Sequence, residues 1–271
     1  MGGLTPFMPS SSGTSLDEWV RSAIEAAVAG GHEALARFRS PDLATRTKAD
    51  GSPVTDGDLA AEAAILRILR ERHPTHAILT EESGELAGDL GHRWYIDPVD
   101  GTRSYCRGLA AWTTLVGLTL DGEPSVGVVY APALDQLAVA WRGGGAWLNG
   151  RPIHASRRAR LDEAVLSIGS LDLLPDLPWG ERAFKLMGRA FACRGFSNAI
   201  GHIEVARGTV DAMIDPRGKP WDFAPIAILI REAGGRFTSL SGSDRFDAGD
   251  ALVSNGPLHD EILAALSAGA P

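Results

Sequence analysis

Cysteine is scarce. The 271-residue chain has two, Cys106 and Cys193, too few to build a disulfide framework. They read as buried free thiols, which suits a reducing cytoplasm. Positive charge is in deficit as well: 26 Lys and Arg stand against 34 Asp and Glu, a formal charge of −8. That argues against a general nucleic-acid binder, whose affinity rests on Lys and Arg. No apolar run approaches the roughly 20 residues that cross a bilayer, so no membrane partner is expected. The opening, Met1 to Ser15, has no Lys or Arg and no long apolar stretch. It lacks the marks of a secretory signal and reads as a disordered leader over 1–15. No Lys-Ser or Lys-Thr pair follows Gly143 to Gly145, so these glycines form no phosphate loop and mark a hairpin.

What is present is turn chemistry and a large apolar fraction. Gly 32, Pro 16 and 44% hydrophobic residues point to a mixed α/β (α+β) chain with many tight turns rather than a helical bundle. Helical spacing of Leu16, Trp19, Val20, Ile24 and Val28 predicts a first helix from Ser15, interrupted at Gly30-Gly31. A polar segment, 45–58, leads to a second helix from Asp58 to Arg72, with Leu59, Ala63, Leu66 and Leu69 on its buried face and Pro74 as its stop. His73 and His76 read as surface residues. Strands are expected at 77–80, 93–96, 112–120, 125–130 and 136–141, the strand of Tyr95-Ile96 ending at Pro98, which cannot donate to a ladder. The Arg-rich run 154–160 reads as a solvated boundary between an N-terminal α+β domain, 16–155, and a C-terminal α/β domain, 156–271. Beyond it helices and strands alternate, with an apolar helix expected over 223–233.

Acidic residues gather where these elements start or stop, which is where α/β folds collect functional side chains. Glu81-Glu82 follows one strand, Asp97 and Asp100 follow another, Asp222 precedes a helix and Asp58 opens one. Taken singly, Asp222 and Asp58 read as helix caps, Glu81-Glu82 as a solvated pair and Asp100-Gly101 as a turn. The segment Asp97-Pro98-Val99-Asp100-Gly101-Thr102 says more. Two carboxylates in one turn can point to one side, with the Val99 carbonyl between them as a further oxygen. Gly101 permits positive φ, and a helical turn beginning there would turn free amides to the same place. Crowded carboxylates repel unless a cation neutralises them. Oxygen donors without a Cys or His cluster suit Mg²⁺ rather than Zn²⁺. A metal cluster beside amides is what phosphate ester hydrolysis requires.

Asp97 to Thr102 (DPVDGT) resembles the D-P-[IVL]-D-G-T motif of the inositol monophosphatase family. Trp221-Asp222-Phe223-Ala224 through Glu232-Ala233-Gly234-Gly235 resembles the family's second signature, Thr80-Glu81-Glu82-Ser83 its E-E-S segment, and Lys48, Asp50, Val54-Thr55 and Asp58 its K-x-D…V-T-x-x-D segment. Gly145-Ala146 with Asn149-Gly150 matches its G-A-x-x-N-G turn. The resemblance implies a layered α-β-α-β-α sandwich, a homodimer and two or three Mg²⁺ per site. It implies that Glu81, Asp97 and the Val99 carbonyl hold one Mg²⁺, that Asp97, Asp100 and Asp222 hold a second, and that Glu81 helps hold a third. Thr102, hydrogen-bonded to Asp58, would position the attacking water with Glu81 as its base, and the Gly101 and Thr102 amides would bind phosphate.

Substrate contacts are expected from Asp100, Ser197, Asn198 and Asp215. Inositol-specific members resemble G-[ST]-A where this chain has Phe196-Ser197-Asn198, and carry Glu where it has Asp215. The stretch from Gly234 to Leu240, with Ser254-Asn255-Gly256 and 258–261, looks like the family's histidinol-phosphate phosphatases. The resemblance therefore implies a Mg²⁺-dependent phosphomonoesterase acting on a small-molecule phosphate ester, L-histidinol phosphate foremost. Inositol 1-phosphate is the first rival, with 3′(2′),5′-bisphosphate nucleotidase and fructose-1,6-bisphosphatase activities behind it. A non-catalytic regulator of the same fold is the rival from another class.

Overall fold

The computed structural model describes residues 15–267; the expected leader, Ser15 apart, lies outside them. The helices are α1 (Ser15–Arg37), α2 (Asp56–Arg72), α3 (Thr102–Cys106), α4 (Gly180–Arg189), α5 (Asn198–Ala206), α6 (Pro220–Glu232) and α7 (His259–Ser267). The strands are β1 (Thr45–Thr47), β2 (Pro53–Thr55), β3 (His76–Thr80), β4 (Gly84–Leu86), β5 (Asp89–Asp100), β6 (Thr113–Leu120), β7 (Glu123–Ala131), β8 (Gln136–Trp141), β9 (Gly145–Leu148) and β10 (Arg151–Ile153). After them come β11 (Val165–Ile168), β12 (Ala192–Arg194), β13 (Ala212–Asp215), β14 (Arg236–Thr238) and β15 (Ala251–Ser254). β1 and β2 form a small ribbon. The other strands build an eight-stranded sheet, order β10-β9-β8-β7-β6-β5-β3-β4, and a five-stranded sheet, order β12-β11-β13-β15-β14.

Side chains alternate across each strand, and the alternation sorts the core into layers. Trp94, Ile96, Val116, Leu118 and Val128 face α1 and α2. Tyr95, Leu115 and Val129 face the opposite way, onto α6. In the second sheet Met213 and Val253 face α5 and α6, whereas Ile214 and Leu252 face α4 and α7. The result is helices, sheet, helices, sheet, helices, as the resemblance implied.

Four expectations need correction. Gly30-Gly31 do not interrupt α1, which runs unbroken to Arg37. A Cβ at Gly30 would meet Ile65 of α2, and one at Gly31 would meet Tyr130 of β7, so the glycines allow close packing rather than a break. The buried face of α2 is Ala61, Ile65 and Leu69 together with Asp58 and Glu62; Leu59 is 42% exposed. Two buried carboxylates displaced the stripe that hydrophobicity alone suggested. β5 does not stop at Pro98 but continues to Asp100, its register shifting between Asp97 and Asp100 so that neither Pro98 nor Val99 pairs with β6. Proline is tolerated at such an irregularity because no ladder donor is needed there. His73 is buried, its Nε2 2.9 Å from Ser22 Oγ, and it stacks on the half-buried His76.

The seat of α6 matters most for the site, because α6 carries Asp222. Gly117 of β6 and Gly127 of β7 are register partners. Together they make a notch for Pro225: a Cβ at Gly117 would lie 3.0 Å from the Pro225 ring, and one at Gly127 would strike its carbonyl oxygen. Gly127→Ala is expected to cost about 1–3 kcal/mol through this overpacking. A urea midpoint equal to wild type would show that α6 does not need the notch.

Candidate active site

β3 and β5 lie side by side and parallel, with Thr80 opposite Ile96. Their carboxyl ends therefore open together, the position where parallel strands present functional groups. Glu81 follows Thr80, and its amide donates to the Ile96 carbonyl at 3.1 Å, which brings it beside Asp97. Asp97 shares the face of Tyr95, toward α6, and is 3% exposed. Its Oδ1 accepts from the Val99 amide at 3.0 Å.

In a regular strand Asp97 and Asp100, three apart, would point to opposite faces. The irregularity at Pro98-Val99 removes that conflict, as strand bulges do. Val99 turns its side chain into the cluster of Ala34, Ala61, Tyr105 and Trp112. Asp100 turns toward α5, where its Oδ2 accepts from the Ala199 amide at 2.7 Å and from Thr113 Oγ1 at 3.0 Å. Gly101 follows with φ 92°, a left-handed conformation that favours glycine, and α3 begins at Thr102.

Asp58 stands behind Thr102 and is fully buried. One of its oxygens caps its own helix, accepting from the Thr55 amide at 2.8 Å and from the Thr55 hydroxyl at 2.5 Å. The other accepts from Thr102 Oγ1 at 3.1 Å. The cap reading of Asp58 thus holds for one oxygen and is incomplete for the second. Asp222 is similar. It sits in the first turn of α6 and its Oδ2 accepts from the Lys219 amide at 2.7 Å, yet it is also in side-chain contact with Asp97.

Glu81, Asp97, Val99, Asp100, Thr102 and Asp222 line a cavity of about 970 Å³ with Gly101, Ser197, Asn198 and Asp215. Asn198 has φ 59° and its amide nitrogen donates to the Ala111 carbonyl at 3.1 Å. Asp215 Oδ2 lies 2.7 Å from His202 Nε2. The contact is close but off the hydrogen-bond axis, so neither ring nitrogen of this buried histidine has a hydrogen-bond partner among the described residues. Asp58 is the one predicted site residue outside the lining.

Burial and crowding raise the site's carboxyl groups. Asp97 is lifted well above the usual carboxylate range by burial, then by Glu81, Asp222 and Asp100. Burial pushes Asp100 up to about 6 against the Ala199 and Thr113 hydrogen bonds. Asp222 is pushed up to about 8 by burial and by the charge of Asp100 and Glu81. Burial and Glu81 bring Glu82 to about 7 despite Lys48. Lys48 Nζ donates to Glu81 Oε1 at 2.8 Å and Glu82 Oε1 at 2.6 Å. Burial opposes its charge, but these two carboxylates outweigh burial and hold its pKa above the lysine range.

Seven lining residues carry carboxylates and four carry Lys or Arg, so the cavity is short of positive charge. Among the described residues no three His, Cys, Asp or Glu side chains are already drawn together at metal spacing. The fit of a cation therefore rests on donor chemistry and charge. The donors are hard oxygens from Glu81, Asp97, Asp100, Asp222 and the Val99 carbonyl, which suit Mg²⁺.

Sequence reasoning passed over His202, Thr113 and Glu62. A lone histidine or threonine on an apolar element carries no pattern, and a glutamate on a helix reads as solvent-facing. Glu232, recognised only as part of a signature, accepts from the amides of Gly143 and Gly145 at 2.9 and 2.8 Å. It ties the end of α6 to the glycine turn before β9.

The family model described as the inositol monophosphatase family matches residues 15–269. A histidinol-phosphatase of Mycobacterium tuberculosis is 40% identical over 238 residues, covering 86% of this chain and 92% of its own. An inositol-1-monophosphatase of Synechocystis is 36% identical over 265 residues, covering 96% and 92%. The solved structure of an inositol monophosphatase from Anabaena superposes with a TM-score of 0.82 at 33% identity, over 93% of this chain and 96% of its own.

A carboxyl group whose pKa is raised by folding contributes stability only while protonated, and that contribution is lost as pH climbs from the unfolded value through the folded one. For Asp100, Glu82 and Asp222 that window runs from the ordinary carboxylate range to about 6, 7 and 8. The melting temperature of EDTA-treated protein is expected to fall from about pH 5 to about pH 8, and Mg²⁺ to raise it more at the upper end. A metal-free melting temperature that climbs across this window would contradict the electrostatic description.

Proposed function

The chain belongs to the inositol monophosphatase family and is a phosphatase, and on that footing we propose that it is a Mg²⁺-dependent phosphomonoesterase whose substrate is L-histidinol phosphate. The observation that carries the substrate is the leaving-group end of the cavity. Asp215 is buried there, backed by His202 and pressed against Gly169, where any Cβ would meet its carboxylate. Asp172 also lines the cavity. An amine-bearing leaving group finds acidic partners here, and the shorter Asp in place of Glu leaves room for a longer chain. The 40% identical histidinol-phosphatase supports the same reading. Inositol 1-phosphate is the second reading, favoured by the 36% identical relative.

Bound by Glu81, Asp97, the Val99 carbonyl, Asp100 and Asp222, Mg²⁺ would neutralise the phosphoryl oxygens, acidify water and stabilise the leaving oxygen. The chain's own residues do the rest. The single Thr102 hydroxyl hydrogen is committed to internal acceptors, Asp58 Oδ1 and the Val99 carbonyl, each at 3.1 Å. Its oxygen is therefore left to accept a hydrogen bond from a water in the cavity. Asp58 cannot turn away, because its other oxygen is held by Thr55. Glu81 takes a proton from the water as the water oxygen attacks phosphorus, the P–O ester bond breaks, and that proton passes on through solvent to the departing alkoxide, which leaves as the alcohol and returns Glu81 to its carboxylate form. The Gly101 and Thr102 amides bind the phosphate at the start of α3. The same family reading carries a homodimer acting in the cytoplasm, which light scattering and cell fractionation would check.

Phosphate release from a panel of purified esters, with Mg²⁺ and with EDTA, tests the substrate. L-Histidinol phosphate should give the largest kcat/KM, and preference for inositol 1-phosphate would overturn the choice. Asp97→Asn should leave less than about 1% of turnover in a folded protein, as circular dichroism and phosphate release together would show. Thr102→Ala should lower kcat about a hundredfold while Mg²⁺ still binds by calorimetry; undiminished kcat would remove its water-positioning role.

A further inference from the structure

α2 buries two carboxylates one helical turn apart. Asp58 serves Thr102; the second, Glu62, is 4% exposed and belongs to no motif. Its Oε2 accepts from the Thr80 hydroxyl and from the Glu82 amide, the latter at 3.2 Å, and its Oε1 accepts from the Ser83 hydroxyl. All three donors flank Glu81 in sequence. A buried carboxylate on a helix face otherwise packed with Ala61, Ile65 and Leu69 is costly unless its oxygens are satisfied. Here three hydrogen bonds satisfy it, and all go to one turn, so packing alone does not account for a glutamate at this place.

We propose that Glu62 is a positioning residue for Glu81, gripping the turn after β3 through Thr80, Glu82 and Ser83 so that the Glu81 carboxylate enters the cavity in one direction. Glu81 itself is held by its backbone bond to Ile96, by side-chain contact with Asp97 and by Lys48, which also pulls on Glu82. Without Glu62 the turn would be free to follow Lys48, and the Glu81 carboxylate would lose its fixed relation to Asp97. α2 thus steers both reactive segments, Thr102 through Asp58 and Glu81 through Glu62. The inference rests on the reading of Glu81 as a cation ligand and base.

The test compares Glu62→Ala, which removes all three acceptors, with Glu62→Gln, which keeps one acceptor oxygen. Two quantities are read on the full chain without substrate: the affinity for Mg²⁺ alone by calorimetry, and amide hydrogen exchange at 81–83. Glu62→Ala should weaken Mg²⁺ binding about tenfold and speed exchange of the Glu82 amide, with Glu62→Gln between it and wild type on both. Wild-type Mg²⁺ affinity in both variants, whatever their melting temperatures, would overturn the proposal and leave Glu62 a structural residue only. If Glu62→Ala does not fold, Glu62→Gln is judged by the same criterion. If the wild-type protein itself binds no Mg²⁺, the metal reading of the site fails on its own, and exchange at Glu82 alone decides whether Glu62 holds the turn.

Discussion

Mutual repulsion among buried carboxylates is the constraint on which this structure turns. Glu81, Asp97, Asp100 and Asp222 arrive from three separate segments and close on one cavity, where burial and like charge lift Asp97, Asp100 and Asp222 above their ordinary range. Left to itself such a cluster would spread toward water or hold protons. Lys48 meets part of the charge at Glu81 and Glu82, and no lysine or arginine ion pair reaches Asp97, Asp100 or Asp222 among the described residues. A divalent cation is the natural counterpart, and a phosphate ester the natural third party to it.

The scaffold holds these groups against their repulsion by rigid means. The parallel pairing of β3 with β5 fixes Glu81 beside Asp97, and the register shift in β5 lets Asp100 join them from a position that a regular strand would send to the far face. The glycine notch of β6 and β7 seats α6, and with it Asp222. Carboxylates that double as helix caps need no separate support: Asp58 and Asp222 each give one oxygen to backbone amides of their own helix terminus. Using one side chain for both purposes couples local helix stability to the geometry of the site.

The motifs were legible because each joins residue types that ordinary packing does not ask for: acid-proline-apolar-acid-glycine-threonine at a strand end, or tryptophan-aspartate before an apolar helix. The cavity lining accordingly includes Glu81, Asp97, Val99, Asp100, Gly101, Thr102, Asn198, Asp215 and Asp222. Other features had no such signal. Glu62 was passed over and the buried face of α2 misassigned because hydrophobic periodicity assigns charged residues to water. The continuity of α1 through Gly30-Gly31 was missed because a glycine pair reads as a break when no neighbour is in view. His73 and His76 follow a helix, yet rings from β5 and a serine from α1 enclose them.

The amino-acid sequence by itself determined the chemistry available: oxygen donors in set order, a left-handed glycine before a threonine, a surplus of acid, and a period of two that commits each strand residue to a face. Only the tertiary structure decided which of those faces meet. Whether Asp97 and Asp100 point together depends on one irregularity in strand pairing. Whether Asp222 reaches them depends on a proline fitting between two glycines more than ninety residues away in the chain. Such contacts are long-range, and the residues that make them carry no local pattern, because their role exists only once the layers have closed on one another.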